Sequence, residues 1–119
     1  MQSKKVYFVS GIDTDAGKSV VTGLLARDMN AHNERTITQK FIQTGNTGIS
    51  EDIELHRRIM GIPLQQVDLD GTTCPIIFTY PSSPQLAAEI DHREIDLSLV
   101  EKSTAKLLES YDTVLLEGA

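Results

Sequence analysis

The stretch Gly11-Ile12-Asp13-Thr14-Asp15-Ala16-Gly17-Lys18-Ser19 decides the fold that we predict for this chain. It follows the apolar run Val6-Tyr7-Phe8-Val9 and precedes a helical pattern that begins near Val20. A strand, a glycine-bounded loop, Gly-Lys-Ser and a helix are the context expected of a phosphate-binding loop. Five residues separate Gly11 from Gly17, one more than in the usual loop. The alternative is an ordinary strand-to-helix turn that contains Gly-Lys-Ser by chance.

The residue types in this stretch suit a phosphate group. Glycine lets the backbone turn its N–H groups towards an anion, and the first turn of the next helix adds further N–H groups and the positive end of the helix dipole. Lys18 is predicted to place its charge beside the β- and γ-phosphates of a nucleotide. The Ser19 hydroxyl is predicted to bind Mg²⁺.

Length and composition restrict the class of protein. The 119 residues suffice for one core, so we predict a single domain over residues 1–119. The net charge of −6 argues against nucleic-acid and anionic-membrane partners. No apolar run approaches the roughly 20 residues of a membrane-spanning helix, and the polar start argues against a signal peptide. The single cysteine, Cys74, excludes an internal disulfide and favours the cytoplasm; we expect it to be partly buried and not catalytic.

Strand and helix patterns alternate along the chain. Three segments have the short apolar or β-branched composition of strands, at 4–10, 35–40 and 112–117, and the first reads as a strand covered on both faces. Four segments have helical spacing or a helix cap, at 18–32, 51–60, 85–90 and from 97 onwards. Ser50 is predicted to cap the second of these helices, Gly61 to end it, and Asp96 to cap the last. The first helix has an apolar stripe, formed by Val20, Val21, Leu24, Leu25 and Met29. In the last helix we expect a buried side, formed by Leu97, Val100, Ala105, Leu107, Leu108 and Tyr111.

This alternation predicts an α/β fold with a parallel sheet of the P-loop NTPase type. Ligands of such sheets bind at the carboxyl ends of the strands. That rule places the loop from Gly11, the segment after Lys40, and Glu117 on one rim. The chain stops at Glu117-Gly118-Ala119, directly after an apolar run, so we expect a fold truncated after a central strand.

The strand ends offer a set of candidate groups for phosphate chemistry. Lys40 and then Thr44 follow the second strand, Glu117 ends the last one, and Asp52 begins a helix between them. Ser19, Asp52 and Glu117 are a sensible hard-oxygen set for Mg²⁺. Each residue also has a simpler interpretation: Lys40 as a solvated lysine, Asp52 as a helix-start charge and Glu117 as an edge residue. His32, His56 and His92 are predicted to be surface residues, and the acids at 68 and 70 to be solvated or capping.

With these residues in view, the chain resembles the dethiobiotin synthetases, the family that catalyses the penultimate step of biotin synthesis. The stretch from Gly11 to Ser19 resembles that family's extended Gly-Thr-Asp-Thr-x-x-Gly-Lys-Thr loop. Lys40-Phe41-Ile42-Gln43-Thr44-Gly45 resembles its Lys-Pro-x-x-Thr/Ser-Gly segment, with Phe41 in place of proline. Pro81-Ser82-Ser83-Pro84 and Glu117-Gly118-Ala119 match its Ser-Pro turn and its Glu-Gly-Ala segment. The resemblance covers the whole chain, but only about the first half of a typical family member.

The resemblance implies an ATP-dependent ligase that closes a cyclic urea from 7,8-diaminopelargonate and CO₂, giving dethiobiotin, ADP and phosphate. It implies catalytic roles for Lys40 and Lys18, contact of Thr44 and Asp15 with the diamine, and Mg²⁺ bound by Ser19, Asp52 and Glu117. It further implies a cytoplasmic homodimer in the full-length form. The residues implied in ATP binding are Asp15, Ala16, Gly17, Lys18, Ser19, Val20, Asp52, Glu117, Gly118 and Ala119.

Three other functions stay open at the level of sequence. One is another P-loop ATP-dependent ligase, such as an amide synthase. The second is a nucleotide-binding switch or partition-type ATPase, although such proteins have an additional lysine near the start of the loop, where this chain has Ile12 and Asp13. The third is an inactive fragment that binds at most phosphate.

Overall fold

In the part of the chain that the structure describes, the sheet has three parallel strands, in the order β1-β3-β2. The structure is a computed structural model that describes residues 3–11 and 16–118. The strands are β1 (Lys5–Val9), β2 (Thr36–Lys40) and β3 (Thr113–Glu117), each five residues long. All three lie within the predicted strand segments. The prediction of an α/β fold with a parallel sheet is confirmed.

Within these described residues, five helices connect and cover the strands. They are α1 (Ala16–Ala31), α2 (Glu51–Met60), α3 (Gln66–Leu69), α4 (Pro84–Ile90) and α5 (Leu97–Leu108). The predicted caps are found: the Ser50 side chain accepts a hydrogen bond from the N–H of Ile53 at α2, and Asp96 accepts one from Ser98 at α5. None of the helices in the described part of the chain has the length and apolar character needed to cross a membrane.

The helices form a layer on each face of the sheet. On one face Leu115 packs with Ala26 of α1 and Met60 of α2. On the other face, Val114 and Ile37 pack with Leu107 of α5. Adjacent residues of β3 therefore face opposite layers, as the strand period of two requires. A further apolar cluster lies beyond the end of β2 and includes Ile42, Ile76, Phe78, Ala87, Ala88 and Val100.

The prediction that the first strand is covered on both faces is wrong. Val6, Tyr7 and Phe8 are 45–59% exposed, because β1 pairs with β3 alone while the helices pack over β2 and β3. Four residues of the apolar stripe of α1 are exposed as well, since the side of this helix that faces inwards carries small residues such as Thr22 and Ala26. The fifth, Met29, is partly buried and packs against the core. In α5, Val100 and Leu107 are buried as predicted, but Leu97 and Ala105 are exposed.

At Gly23, α1 packs closely against α2. A Cβ atom at this position would lie 3.0 Å from Cβ of Ile59. We expect Gly23→Leu to lower the free energy of unfolding by about 1–3 kcal/mol, because the added side chain would force the helices apart. Urea denaturation followed by circular dichroism measures this. Ala31→Leu, at the exposed end of the same helix, is the control and should change stability by less than about 0.5 kcal/mol. Equal stability of the two variants would contradict close packing at Gly23.

Cys74 lies buried in the segment that runs beside the end of β2. Burial raises the pKa of its thiol to about 12. Because the thiolate is the reactive form, we expect iodoacetamide to label the folded chain at pH 8 at least about 100-fold more slowly than the urea-unfolded chain. Mass spectrometry of timed samples gives both rates. Rapid labelling under folding conditions would show that this segment opens readily.

Candidate functional site

The strand register brings the three carboxyl ends together. Glu117 of β3 lies directly opposite Val9 of β1 on one side and Lys40 of β2 on the other. Just beyond this row, the N–H of Gly118 donates to the carbonyl of Val9 at 2.9 Å, and the N–H of Phe41 donates to the carbonyl of Glu117 at 2.9 Å. The predicted common rim is therefore present.

Four predicted site residues meet at this rim, and we call them the lysine–carboxylate cluster: Ser19, Lys40, Asp52 and Glu117. The Lys40 ammonium lies 2.6 Å from Oδ2 of Asp52 and 2.9 Å from Oε2 of Glu117. The same Oε2 atom accepts a hydrogen bond from the Ser19 hydroxyl at 3.0 Å. Lys40 also donates to the carbonyl of Gly118 at 3.1 Å.

Each member of the cluster is positioned by regular structure. Lys40 ends β2 and Glu117 ends β3, while Ser19 and Asp52 lie in the first turns of α1 and α2. Only 3% of the Lys40 side chain is exposed, so its interpretation as a solvated lysine is wrong. Glu117 is fully buried, so its interpretation as an edge residue is wrong too. Asp52 is a helix-start acid and also contacts Lys40.

The cluster keeps its charges at neutral pH. Burial by itself raises the pKa of Glu117, but the hydrogen bond from His56 and the charge of Lys40 outweigh it and lower that pKa to about 2. For Lys40, burial lowers the pKa, but hydrogen bonds to Asp52 and Glu117 outweigh it and raise that pKa above its usual value. Glu117 is therefore held as a carboxylate and Lys40 as an ammonium group, and the two form a buried ion pair.

His56 belongs to this site, and its assignment to the surface is wrong. Its ring is fully buried, with Nε2 at 2.9 Å from Oε1 of Glu117 and Nδ1 at 2.7 Å from Oγ1 of Thr38. The other two histidines, at 32 and 92, are exposed as predicted. One signal in the sequence points to His56: it lies four residues after Asp52, so the two share a face of α2.

A second buried pair is formed by Arg57 and Asp68. Of the two predicted alternatives for Asp68, solvated or capping, the second is confirmed. The guanidinium of Arg57 donates to both carboxylate oxygens of Asp68, at 2.9 and 2.8 Å. It also donates to the hydroxyl of Thr38 at 2.7 Å. Asp68 does cap α3, since it accepts from the N–H of Gln65 at 2.7 Å. The predicted exposure of Asp70 is confirmed.

Lys18 lies beside the cluster, in an open groove. The groove is lined by Gly11, Lys18, Phe41 and Gly118 among others. Gly11 stands close to the Lys18 side chain, since a Cβ at position 11 would lie 3.6 Å from its Cγ. The first turn of α1, which contains Gly17, Lys18 and Ser19, thus faces the same rim as the lysine–carboxylate cluster.

The other predicted residues are placed as follows. Thr44 lies in the loop after β2, where its hydroxyl donates to the carbonyl of Ser82 at 2.9 Å. The adjacent Gly45 has φ +68° and packs so closely that a Cβ would lie 2.8 Å from Cβ of Pro81. Ala16 begins α1, and Gly17 and Val20 are exposed on its first turns. The predictions for Asp15 and Ala119 fall outside the described residues.

Several known proteins are similar to this chain. The ATP-dependent dethiobiotin synthetase BioD of Chlorobaculum tepidum is 58% identical over 96% of this chain and 48% of its own length. Those named BioD 2 from Haemophilus influenzae and Pasteurella multocida are 53% and 51% identical over 97% of this chain, and over 60% and 54% of their own lengths. The resemblance seen in the motifs is thereby confirmed.

The chain spans about half the length of these curated relatives. A family model described as "AAA domain" matches residues 5–119, and it agrees with the predicted P-loop NTPase-type fold. Because that match covers almost all of the sequence, the chain belongs to the AAA domain family.

Proposed function

We propose that this chain provides the phosphate- and metal-binding part of a dethiobiotin synthetase. The reaction is closure of a cyclic urea from 7,8-diaminopelargonate, CO₂ and ATP, with release of dethiobiotin, ADP and phosphate. The observation that supports it most strongly is the buried contact of Lys40 with Asp52 and Glu117 at the end of a parallel sheet, beside Gly17-Lys18-Ser19. The relatives that match nearly the whole chain have names of the same activity.

Magnesium fits the residues of the cluster. The Ser19 hydroxyl and the carboxylates of Asp52 and Glu117 would hold the ion, and all three offer the hard oxygen atoms that it prefers. Nowhere in residues 3–11 and 16–118 do three His, Cys, Asp or Glu side chains gather into a metal site, so the ion would rest on one hydroxyl, two carboxylates and the phosphate oxygens of ATP. When bound, Mg²⁺ supplies positive charge against the phosphate oxygens of ATP.

The residues of the chain divide the remaining work of the reaction. In the proposed sequence, one substrate amine bonds to CO₂ and loses a proton, and the carbamate oxygen takes the γ-phosphoryl group from ATP. The second amine then attacks the carbonyl carbon and expels phosphate. Lys18 and the N–H groups at the start of α1 stabilise the charge on the phosphoryl group as it moves. Lys40, held as a cation, attracts the carbamate and the same phosphoryl group.

The proposal extends to the substrate and to assembly. Thr44 and Asp15 contact the diamine, and the nucleotide is held by the loop residues with Glu117, Gly118 and Ala119. The active form is a cytoplasmic homodimer; the buried free thiol of Cys74 suits a reducing compartment. Groups that bind adenine and the far end of the substrate belong to the part of the relatives that this chain does not match.

The test is ADP formation with Mg²⁺ and ATP, measured with and without diaminopelargonate plus bicarbonate. It is run on this chain and on a fusion that continues after Ala119 with the corresponding part of the Chlorobaculum tepidum relative. Turnover that needs both additions, together with dethiobiotin detected by mass spectrometry, is the expected result in the fusion. Lys18→Ala should nearly abolish this turnover. Lys102→Ala, at an exposed position of α5, should leave it unchanged.

Other outcomes of this assay point to the competing functions. Turnover with other acceptors in place of the diamine would indicate a different ligase. ATP hydrolysis that DNA or a protein surface stimulates, and the diamine does not, would indicate a switch or partition ATPase. A fusion that folds and binds ATP weakly, without turnover, would contradict the proposal.

A further inference from the structure

A continuous chain of buried hydrogen bonds runs behind the lysine–carboxylate cluster, and we call it the His56 chain: Asp68, Arg57, Thr38, His56 and Glu117. Arg57 donates to Asp68 at one end and to Oγ1 of Thr38 at 2.7 Å. Oγ1 of Thr38 lies 2.7 Å from Nδ1 of His56, and Nε2 of His56 lies 2.9 Å from Oε1 of Glu117. All five residues are buried.

The direction of each bond follows from the chemistry of the groups. A guanidinium can only donate, so Oγ1 of Thr38 is an acceptor towards Arg57. The hydroxyl has one hydrogen, and the bond that remains for it is to Nδ1 of His56. Nδ1 is therefore the bare nitrogen, and Nε2 bears the proton and donates to Glu117.

The two other ways of placing protons on the His56 ring fit its contacts with Thr38 and Glu117 worse. A neutral ring with its proton on Nδ1 would turn a bare Nε2 towards a carboxylate oxygen at 2.9 Å, so that two lone pairs would face each other. A ring protonated on both nitrogens would surround Oγ1 of Thr38 with donors and leave the hydroxyl hydrogen without an acceptor. In a fully buried place, an unpaired polar group of this kind is costly.

From this arrangement we propose that His56 is a positioning residue for the site, acting through Glu117. The proposal rests on the proposed function. The terminal torsion of a glutamate is broad, so the carboxylate needs outside contacts to fix its plane. His56 holds Oε1 by its Nε2–H, and Oε2 then faces Ser19 and Lys40. Thr38 and Arg57 act one step further back, because they select the ring tautomer that can donate.

Two amide substitutions separate the roles of the two ring nitrogens. The side-chain N–H of glutamine reaches about as far as Nε2, whereas that of asparagine reaches about as far as Nδ1. We expect His56→Asn to weaken Mg²⁺ binding by this chain, and to lower kcat of the fusion, by about 10- to 100-fold. His56→Gln should restore most of both quantities. Titration calorimetry with Mg²⁺ alone gives a readout that is independent of turnover.

Stability serves as the control for this pair of variants. Both substitutions remove the same buried ring, so their melting temperatures should fall together. A purely structural role for His56 predicts equal losses of Mg²⁺ affinity and kcat in the two variants, and that result would overturn the proposal. Mg²⁺ affinities that are the same in both variants as in the unaltered chain would overturn the proposal as well.

The tautomer is tested directly by nitrogen NMR on the chain labelled with ¹⁵N-histidine at pH 8. We expect one histidine with a single protonated Nε2 and a bare Nδ1, missing from the spectrum of His56→Gln. His32 and His92 are exposed and provide the averaged signals of free rings. Thr38→Val should remove the distinct signal, whereas Thr113→Val, a buried threonine paired with Glu34 at the far end of β3, should not.

The outcomes of the NMR test keep this proposal separate from the proposed function. A proton on Nδ1, or on both ring nitrogens, would overturn the assigned direction of the His56 chain whatever reaction the protein catalyses. The expected tautomer, combined with a fusion that does not make dethiobiotin, would instead contradict the proposed function and leave the orientation of Glu117 standing.

Discussion

Replacement of Lys40 by methionine is expected to lower kcat for ATP-dependent ring closure by about 100- to 1,000-fold, the range found when one preorganised charge-stabilising donor is removed from an active site. The dissociation constant for ATP should change much less, because the substitution leaves Lys18 and the N–H groups at the start of α1 unaltered. Methionine fills the buried volume of the lysine stem, so the variant tests the charge and not the packing. The measurement is steady-state turnover of the fusion, with ATP affinity determined by fluorescence titration.

The control for Lys40 is another lysine in an ion pair. Lys106 lies 3.4 Å from Asp70, but its side chain is 57% exposed. Lys106→Met should therefore leave kcat and ATP affinity unchanged. Normal turnover by the Lys40→Met enzyme would remove Lys40 from the mechanism. A loss of ATP affinity as large as the loss of kcat would show that Lys40 acts in nucleotide binding and not mainly in catalysis.

Replacement of Arg57 by methionine is expected to lower the free energy of unfolding by about 3–5 kcal/mol, because it leaves Asp68 buried without its counter-ion. The Arg57–Asp68 pair is almost inaccessible, with side chains 2% and 0% exposed. The same substitution removes a donor from the hydroxyl and from the carbonyl of Thr38. Urea denaturation, followed by both fluorescence and circular dichroism, measures the loss.

A double variant separates the unpaired charge from the lost contacts. Arg57→Met combined with Asp68→Leu removes both charges, and we expect it to be more stable than Arg57→Met alone. Recovery should be partial, because Asp68 also accepts hydrogen bonds from Gln65 and Thr73. A single-variant loss under about 1 kcal/mol, the size expected of an exposed pair, would contradict the structural importance of this pair.

Local signals in the sequence were enough to predict most of the framework. The apolar runs, the caps Ser50 and Asp96, and the Gly61 stop gave the strands and four of the helices within a few residues. The rule that ligands bind at the carboxyl ends of parallel strands then placed Lys40 and Glu117 on one rim. In the structure, Nζ of Lys40 lies 2.9 Å from Oε2 of Glu117. Helix α3 was missed because its four residues are too few to show a period.

The groups behind the site could not be predicted, because other elements of the fold determine their burial. In β2, Thr36, Thr38 and Lys40 alternate with Ile37 and Gln39, a pattern that suggests a solvated polar face. That face is buried instead, and α2 brings His56 and Arg57 to satisfy it. Charge and polarity along the sequence show which side chains need partners, but only the tertiary structure shows where the partners lie.

The close contact at Gly23 also restricts how the site can move. Since α1 packs directly on α2, we expect the helix that carries Ser19 and the helix that carries Asp52 to move together. We therefore expect the distance between Ser19 and Asp52 to stay the same when a ligand binds at the rim, and any movement on binding to take place in other segments of the chain.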